Sequence, residues 1–207
     1  MAQYREYNYD NTYVPHHQSY LFDPLVSLLD KGKNQRILDV GCGNGYYAME
    51  LIKKGYNVYG TDASETGIAS AQAVYPERFF LQNLEEEELP AEIRDIPFDT
   101  IISTEVIEHL YNPKEFLESC HKILQKNGRG SLLISTPYNG YFKNIMLSVA
   151  NKWDDHLDPL WLGGHIKYWS KATLEKGLAS AGFHVSKFVG CGRLPYLWKS
   201  MLIKADT

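Results

Sequence analysis

Short apolar runs alternate along the chain with segments whose apolar residues recur every three or four positions. The runs predict buried strands, and the periodic segments predict amphipathic helices. The predicted strands are 37–40, 57–61, 78–82, 98–103, 131–135, 183–190 and 196–203. The predicted helices are 15–30, 46–54, 64–75, 113–125, 141–151 and 171–181. Strands that alternate with helices in this way predict an α/β fold around a mostly parallel sheet, and the last two strands predict an antiparallel hairpin at the C-terminus.

The most informative stretch is 36–62, which reads as strand, glycine-rich turn, helix and second strand. The turn at 41–45 connects the first strand to the helix, and the second strand ends at Asp62. Such a unit binds a nucleoside-containing cofactor at the carboxyl ends of its strands. The terminal carboxylate is placed to accept hydrogen bonds from ribose hydroxyl groups.

The glycine spacing separates two cofactor classes. Gly41, Gly43 and Gly45 form G-x-G-x-G, and Tyr46 falls where the third glycine of a dinucleotide fingerprint would stand. Asp39 precedes the loop by two residues. A carboxylate there would repel a pyrophosphate but suits a ligand with an ammonium group. The pattern therefore disfavours a nicotinamide-dependent oxidoreductase, and a glycine turn in some other α/β fold is the remaining alternative.

The sequence D-x-G-x-G-x-G resembles motif I of the class I S-adenosylmethionine (SAM) methyltransferases, and Asp62 matches their ribose-binding acid. The resemblance covers about residues 15–203, with specific motifs in 36–62 and 98–110. It implies a Rossmann-like sheet of seven strands in the order 3-2-1-4-5-7-6, with strand 7 antiparallel and helices on both faces. It also implies that residues 1–207 form a single methyltransferase domain.

The same resemblance assigns parts of the cofactor to parts of the chain. The glycine loop would hold the methionine portion, Asp62 the ribose, and the end of the third strand the adenine. Glu105, after the fourth strand, would lie close to the methyl group. The expected SAM-binding residues are Asp39, Gly41, Cys42, Gly43, Gly45, Asp62, Ala63, Asn83, Leu84 and Glu105.

The fourth strand is followed by E-x-x-E-H, formed by Glu105, Glu108 and His109. On a helical turn these three side chains would share one face and could bind a divalent metal. Ubiquinone-biosynthesis O-methyltransferases carry a similar motif. So do small-RNA 2′-O-methyltransferases, where it carries Mg²⁺ together with a histidine located after strand five. His165 stands at a comparable place, so Glu105, Glu108, His109 and His165 are the candidate catalytic residues and the possible metal site.

Three roles for this motif stay open at the level of sequence. A metal could lower the pKa of a substrate hydroxyl group. His109 could instead act as a general base without metal. Glu108 and His109 could also serve only to close the loop after the fourth strand.

Two further segments are candidates for substrate contact. The polar, tyrosine-rich arm at 1–14 could fold across the pocket through Tyr4, Tyr7, Tyr9 and Tyr13. The insertion at 138–165 is predicted to be a lid or substrate wall, with a homodimer surface as the alternative. His16, His17 and Gln18 follow the arm. They could reach the active site, but they are expected to be exposed residues at the start of a helix.

Composition narrows the function further. The formal net charge is −4 without a basic tract, which argues against a protein held on nucleic acid by phosphate contacts. The three cysteines lack CxxC spacing, which suggests neither a zinc site nor a disulfide framework and makes the cytoplasm the expected location. No apolar stretch reaches about 20 residues, the length of a membrane span.

Together these features predict a SAM-dependent methyltransferase that acts on a small molecule, at oxygen. An RNA 2′-O-methyltransferase and a non-catalytic protein that binds SAM or its demethylated product are the alternatives. Neither motif identifies the methyl acceptor.

Overall fold

The computed structural model of the chain describes residues 14–84, 88–161 and 163–207. Most of the predicted N-terminal arm, with its four tyrosines, therefore lies outside the described residues. No helix within the described ranges has the length and apolar character to cross a membrane.

The described strands form one sheet in the predicted order, β3-β2-β1-β4-β5-β7-β6. They are β1 Ile37–Val40, β2 Val58–Asp62, β3 Phe79–Leu81, β4 Thr100–Thr104, β5 Ser131–Pro137, β6 His184–Cys191 and β7 Ser200–Asp206. The pairs among β1 to β5 are parallel, and β7 runs antiparallel to both β5 and β6. The predicted sheet is thereby confirmed.

Helices cover both faces of this sheet. They are α1 Gln18–Ser27, α2 Tyr46–Lys53, α3 Glu65–Gln72, α4 Pro113–Gln125, α5 Tyr141–Val149, α6 Trp153–Leu157 and α7 Lys171–Ser180. One core cluster includes side chains of α4 and α7, and the other includes side chains of α1, α2 and α3. Adjacent strand residues such as Ile101 and Ile102 belong to opposite clusters. This two-sided burial explains why the parallel strands are continuous apolar runs.

The predicted boundaries of the last strand and of the first helix are wrong. The last strand begins at Ser200, because Tyr196 has a left-handed backbone (φ 65°) that interrupts extended structure. Trp198 also leaves the strand pattern, and its ring packs so closely on Gly190 that a Cβ there would overlap it. The first helix begins at Gln18 and not at Pro15, and it contains Pro24.

Candidate active site

The glycine loop lies at the carboxyl end of β1 and is tied to β2. The amides of Gly41 and Cys42 donate to the carbonyl oxygen of Thr61, at 2.8 and 3.0 Å. Gly45 has a left-handed backbone (φ 76°) and begins α2. These bonds hold the loop at the sheet edge where a cofactor binds in α/β proteins.

Two loop glycines are required by the packing of the protein itself. A Cβ on Gly41 would lie 2.5 Å from the Val106 side chain, and one on Gly45 would lie 2.7 Å from the Phe79 ring. Both residues also have positive φ. The packing of the protein alone therefore requires glycine at both positions, whether or not a ligand also approaches the loop.

Asp62, at the end of β2, accepts two backbone hydrogen bonds. The Gly43 amide donates to it at 2.7 Å and the Ser64 amide at 2.8 Å. Ser64 in turn caps α3 by accepting from the Gly67 amide. The Asp62 carboxylate thus fixes both the loop and the start of α3, with half-buried Ala63 between them.

Asp39 is the unusual carboxylate of this region. It is 1% exposed, and neither of its oxygens has a hydrogen-bond partner among the described residues. Burial, reinforced by the charge of Asp62, raises the pKa of Asp39 to about 8. A buried carboxylate without donors is costly. Its oxygens are what an ammonium group would satisfy, directly or through a water molecule.

Asn83 and Leu84 follow β3 on the same edge of the sheet, and both are half-buried. The amide of the preceding residue, Gln82, donates to the Asp62 carbonyl at 2.8 Å and ties this segment to β2. Leu84 lines a cavity of about 240 Å³ together with Leu110, Asn112, Glu115 and Phe116. An open volume therefore adjoins the segment to which the sequence assigns the adenine.

The predicted helical arrangement of E-x-x-E-H is wrong. The turn after β4 is a 3₁₀ turn that covers only Ile107–His109, and Glu105 before it has a left-handed backbone (φ 56°). The Glu105 carboxylate accepts from the hydroxyl of Ser135 at 2.8 Å and from that of Ser200 at 3.1 Å. Glu105 is therefore held toward β5 and β7 and does not share a helix face with Glu108 and His109.

The other three candidates do come together. Glu108 is 1% exposed; one carboxylate oxygen accepts from the Thr136 hydroxyl at 2.9 Å, and the other lies 4.0 Å from Nε2 of His165. Potential ligand atoms of Glu108, His109 and His165 all lie within 4.8 Å of one another. The Glu108 carbonyl also accepts from the amides of Ile166 and Lys167, both at 3.0 Å. These bonds hold the His165 segment against the 3₁₀ turn.

Burial sets the charge of this cluster. It lowers the pKa of His165 to about 4, with a further contribution from His109. It also lowers the pKa of His109. Burial raises the pKa of Glu108 well above its ordinary range, and the charge of Glu105 adds to the effect. Both imidazoles are consequently neutral at neutral pH, the form that can accept a proton or bind a metal.

Aromatic contacts close the cluster on one side. The ring centroids of His109 and His165 are 5.0 Å apart, and Trp161 lies 5.9 and 5.5 Å from them, in edge-to-face geometry. Trp161 remains 43% exposed, so it borders the solvent. Because Trp161 and His165 both belong to the insertion at 138–165, that segment contributes directly to the candidate site.

Several residues of the site were missed by sequence reasoning. Ser135, Thr136 and Ser200 hold the two glutamates, and the first two could have been found as polar residues at the carboxyl end of a predicted strand. His17 was predicted to be exposed, but its Nδ1 lies 2.8 Å from the Tyr47 hydroxyl, and burial lowers its pKa to about 4. Nothing in the local sequence indicates that contact, which joins residues 30 positions apart.

The sheet order, the glycine loop after β1 and the acid at the end of β2 define an α/β protein of the class that binds a nucleoside-containing cofactor. Within that class, residues 13–187 match the family model described as a methyltransferase domain. The chain belongs to this family, and the resemblance read from 36–62 is confirmed.

Relatives and solved structures agree with this assignment. The chain is 34% identical over 119 residues to a ubiquinone biosynthesis O-methyltransferase of a Caulobacter species, covering 55% of the chain and 44% of that protein. It is 30% identical over 183 residues to the human mitochondrial enzyme of that name, covering 86% and 46%. The chain thus spans about half the length of these curated relatives.

A solved structure shows the same fold. Magnesium protoporphyrin IX methyltransferase from Synechocystis, with bound S-adenosylhomocysteine (SAH), superposes with a TM-score of 0.66 at 20% identity. The superposition covers 92% of this chain and 83% of that one. At this identity the likeness concerns the fold alone.

Proposed function

We propose that the protein is a SAM-dependent methyltransferase that methylates an oxygen atom of a small molecule. The observation that carries this proposal is the convergence of Glu108, His109 and His165 at the sheet edge that also bears the glycine loop. The family assignment and the names of the relatives support methyl transfer, and those relatives are named as O-methyltransferases.

The chain's own residues fit the cofactor. Asp39 offers two buried oxygens without partners among the described residues for the ammonium group, and Asp62 stands at the end of β2 for the ribose. Leu84, next to Asn83, borders a cavity on the side proposed for the adenine. SAM, when bound, supplies a methyl group on a positively charged sulfur, which is already an activated leaving group. The protein must therefore align the acceptor, exclude water and remove the acceptor's proton.

His109 is the proposed general base. Burial lowers the pKa of both imidazoles and so weakens both as bases. The pKa of His165 falls to about 4, which is too far below neutrality for an efficient base. His165, next to the Glu108 carboxylate, positions His109 through its ring contact. The proton of the acceptor hydroxyl would pass to a nitrogen of His109 as the oxygen attacks the methyl group.

A divalent metal is the second possibility for this cluster. Glu108, His109 and His165 offer one carboxylate and two imidazoles, a donor set that suits zinc, manganese or iron better than Mg²⁺. Glu105 would not contribute, because it is held by Ser135 and Ser200 and is not part of the cluster of Glu108, His109 and His165. A bound metal would lower the pKa of the acceptor hydroxyl and so replace the base.

The segment 138–165 is proposed to form a wall of the acceptor pocket. Trp161 and His165 reach the 3₁₀ turn from this segment. The exposed apolar residues of α5 leave a homodimer surface as the alternative.

Cytoplasmic localisation stays a prediction from sequence, and the unpaired thiols of Cys42, Cys120 and Cys191 agree with a reducing compartment.

Calorimetric titration tests the cofactor. We expect SAH to bind and NAD not to bind. Asp62→Ala should abolish SAH binding, because it removes the ribose acceptor and releases the glycine loop. Tight NAD binding without SAH binding, or an unchanged SAH affinity in Asp62→Ala, would contradict the proposal.

Release of SAH in the presence of catechol-type acceptors tests the base. His109→Ala should lower kcat by about 100-fold, the contribution typical of a positioned base, while the SAH dissociation constant stays unchanged. His184→Ala, at an exposed position on β6, is the matched control and should keep full activity.

The same assay separates base from metal. If activity survives dialysis against a chelator, the metal-free base is supported. If it is lost and then restored by Mn²⁺ or Zn²⁺, the metal is supported. Full activity of His109→Ala in both conditions would refute both roles.

A further inference from the structure

Helix α5 buries a lysine and exposes its apolar side chains. Lys143 is 6% exposed and is the buried residue of this helix. The apolar residues of the same helix are exposed: Tyr141, Phe142, Ile145, Met146 and Val149. This arrangement reverses the usual amphipathic pattern, in which the apolar face is buried and the charged residues are solvated.

The buried ammonium group of Lys143 is poorly satisfied. Its recorded hydrogen bond is to the carbonyl oxygen of Lys199, at 3.4 Å. No carboxylate of the described residues lies within ion-pair distance of it. An ammonium group has three donors, and a buried charge without an opposite charge is costly. An anion in hydrogen-bond contact with Lys143 is therefore missing among the described residues, and the charge of Glu105 acts on this lysine from beyond ion-pair distance.

The position of Lys143 places this missing anion beside the candidate active site. Lys199, which accepts from Lys143, precedes Ser200, whose hydroxyl donates to Glu105 at 3.1 Å. The Lys143 Nζ thus lies at the carboxyl end of β5, where β7 begins. The charge of Lys143 also acts on His165, whose pKa it helps to lower.

Two further basic groups face the same region. Arg193 belongs to the loop between β6 and β7, and His156 belongs to α6. The charges of Lys143 and Arg193 both lower the pKa of His156, after burial. Burial and Arg193 lower the pKa of Lys143 itself to about 8, while Glu105 opposes the shift. In a chain of net charge −4, α5 and the loop between β6 and β7 thus bring two cationic groups to one place, and His156 adds a neutral imidazole.

We propose that Lys143, with Arg193 and His156 around it, forms an anion subsite of the acceptor pocket. The acceptor would then carry an anionic group, such as a carboxylate, in addition to the hydroxyl group that is methylated. This inference rests on the proposed function and specifies its substrate class. An anion anchored at Lys143 would place the rest of a small acceptor toward the 3₁₀ turn and His109.

Binding to the SAH-saturated protein tests the subsite. The probes are 3,4-dihydroxybenzoate and 3,4-dihydroxybenzamide, which are similar in size and hydroxyl pattern but differ in charge. Calorimetry should show that the benzoate binds at least about tenfold more tightly, the effect expected of one hydrogen-bonded charge pair. Lys143→Met should bring the two dissociation constants to within about twofold of each other. Lys152→Met removes an exposed lysine paired with Asp155 and should keep the preference.

A second variant covers the case in which Lys143→Met does not fold. Arg193 is exposed, so Arg193→Gln should leave the fold intact and reduce the benzoate preference by about threefold, as a peripheral charge does. Equal binding of the two probes to the unaltered protein, or no binding of the benzoate, would overturn the proposal. A full preference in Lys143→Met, or in Arg193→Gln if the first variant is unfolded, would do the same.

SAH titrations without acceptor separate this inference from the proposed function. If the unaltered protein does not bind SAH, the proposed function fails, whatever the probes show. If Lys143→Met weakens SAH binding as strongly as it weakens benzoate binding, the lysine serves the cofactor, and the acceptor subsite is refuted. SAH binding that is unchanged in Lys143→Met, with loss of the benzoate preference, supports the subsite.

Discussion

Asp39 and Glu108 are both 1% exposed, but they differ in their surroundings. Glu108 accepts a hydrogen bond from Thr136 and lies next to His165, so the protein supports one side of its carboxylate. Asp39 has no donor among the described residues and has Asp62 as a charged neighbour. Such a position destabilises the unliganded protein, which is consistent with a role in binding a cation.

The first prediction concerns the stability of Asp39→Asn. The pKa of Asp39 is raised from its ordinary 3.8 to about 8, so the folded protein binds this proton more tightly than the unfolded chain does. The associated stability is present below the ordinary pKa and is lost as the pH rises toward about 8. We therefore expect the free energy of unfolding to fall more between pH 5 and pH 8 in the unaltered protein than in Asp39→Asn.

Urea unfolding at several pH values, without ligand, measures this difference. Parallel pH profiles of the two proteins would contradict the raised pKa. The same substitution should weaken SAH binding by about tenfold, because a charge-assisted hydrogen bond is lost. An unchanged SAH affinity would show that the ammonium group is held elsewhere.

At the scale of single elements, packing and ligand binding both require glycine in the loop after β1. Gly45 is in the left-handed region, and a Cβ there would also lie 2.7 Å from Phe79 and 2.9 Å from Ala71. Gly128, after α4, has nearly the same φ (79°), but nothing lies within 4 Å of its Cβ position. A comparison of the two glycines therefore separates the free-energy cost of backbone strain from that of steric overlap.

The second prediction uses this pair. Gly128→Ala should lower the free energy of unfolding by about 1–2 kcal/mol, the cost of a left-handed backbone alone. Gly45→Ala should lower it by about 2–5 kcal/mol, because overpacking in the core adds to the strain. Urea denaturation of both variants is the measurement. Equal losses would show that Phe79 moves aside at no cost.

Helix starts depend on residues that are close in the chain. Ser64 caps α3 through its side chain. At the start of α7, position 173 is threonine, where a capping box usually has glutamate or glutamine. In the structure Ser170 and Thr173 bond each other's amides, at 3.2 and 3.0 Å, so the threonine hydroxyl replaces the usual carboxylate. Helix α5 was the opposite case, because its apolar spacing did not reveal that Lys143 would be buried.

At the scale of the whole molecule, α5 and α4 are attached to the sheet very differently. Helix α4 buries Phe116, Leu117, Cys120 and Leu124, whereas the buried residue of α5 is Lys143. The free energy of local opening depends on buried apolar contact, so α5 should open more easily than α4.

The third prediction is that amides of α5 exchange with deuterium faster than those of α4, measured by mass spectrometry at one pH. Binding of an anionic acceptor together with SAH should slow exchange in α5 and leave α4 unchanged, because Lys143 would then gain its missing partner. Equal exchange in the two helices would contradict the weak attachment of α5. Slowing by SAH alone would assign the effect to the cofactor.

The sequence by itself determined the sheet and the cofactor loop. Strands buried on both faces are mostly apolar, so β1, β4 and β5 could be read as apolar runs, although β1 also buries Asp39. The glycine loop and Asp62 could be read because one short segment contains a strand, a tight turn and a helix. Each of these features depends on contacts between residues that are close in the chain or on burial alone.

The tertiary structure decided the chemistry that faces the loop. Glu105 is held by Ser135 and Ser200, which are 30 and 95 residues away in the chain, and this pairing turns it from the helix face that its spacing suggested. His165 reaches Glu108 across 57 positions through the 163–167 segment, and the buried Lys143 donates to the carbonyl of Lys199, 56 positions away. Side-chain partners of this kind are set by how the elements pack, and no local pattern in the sequence encodes them.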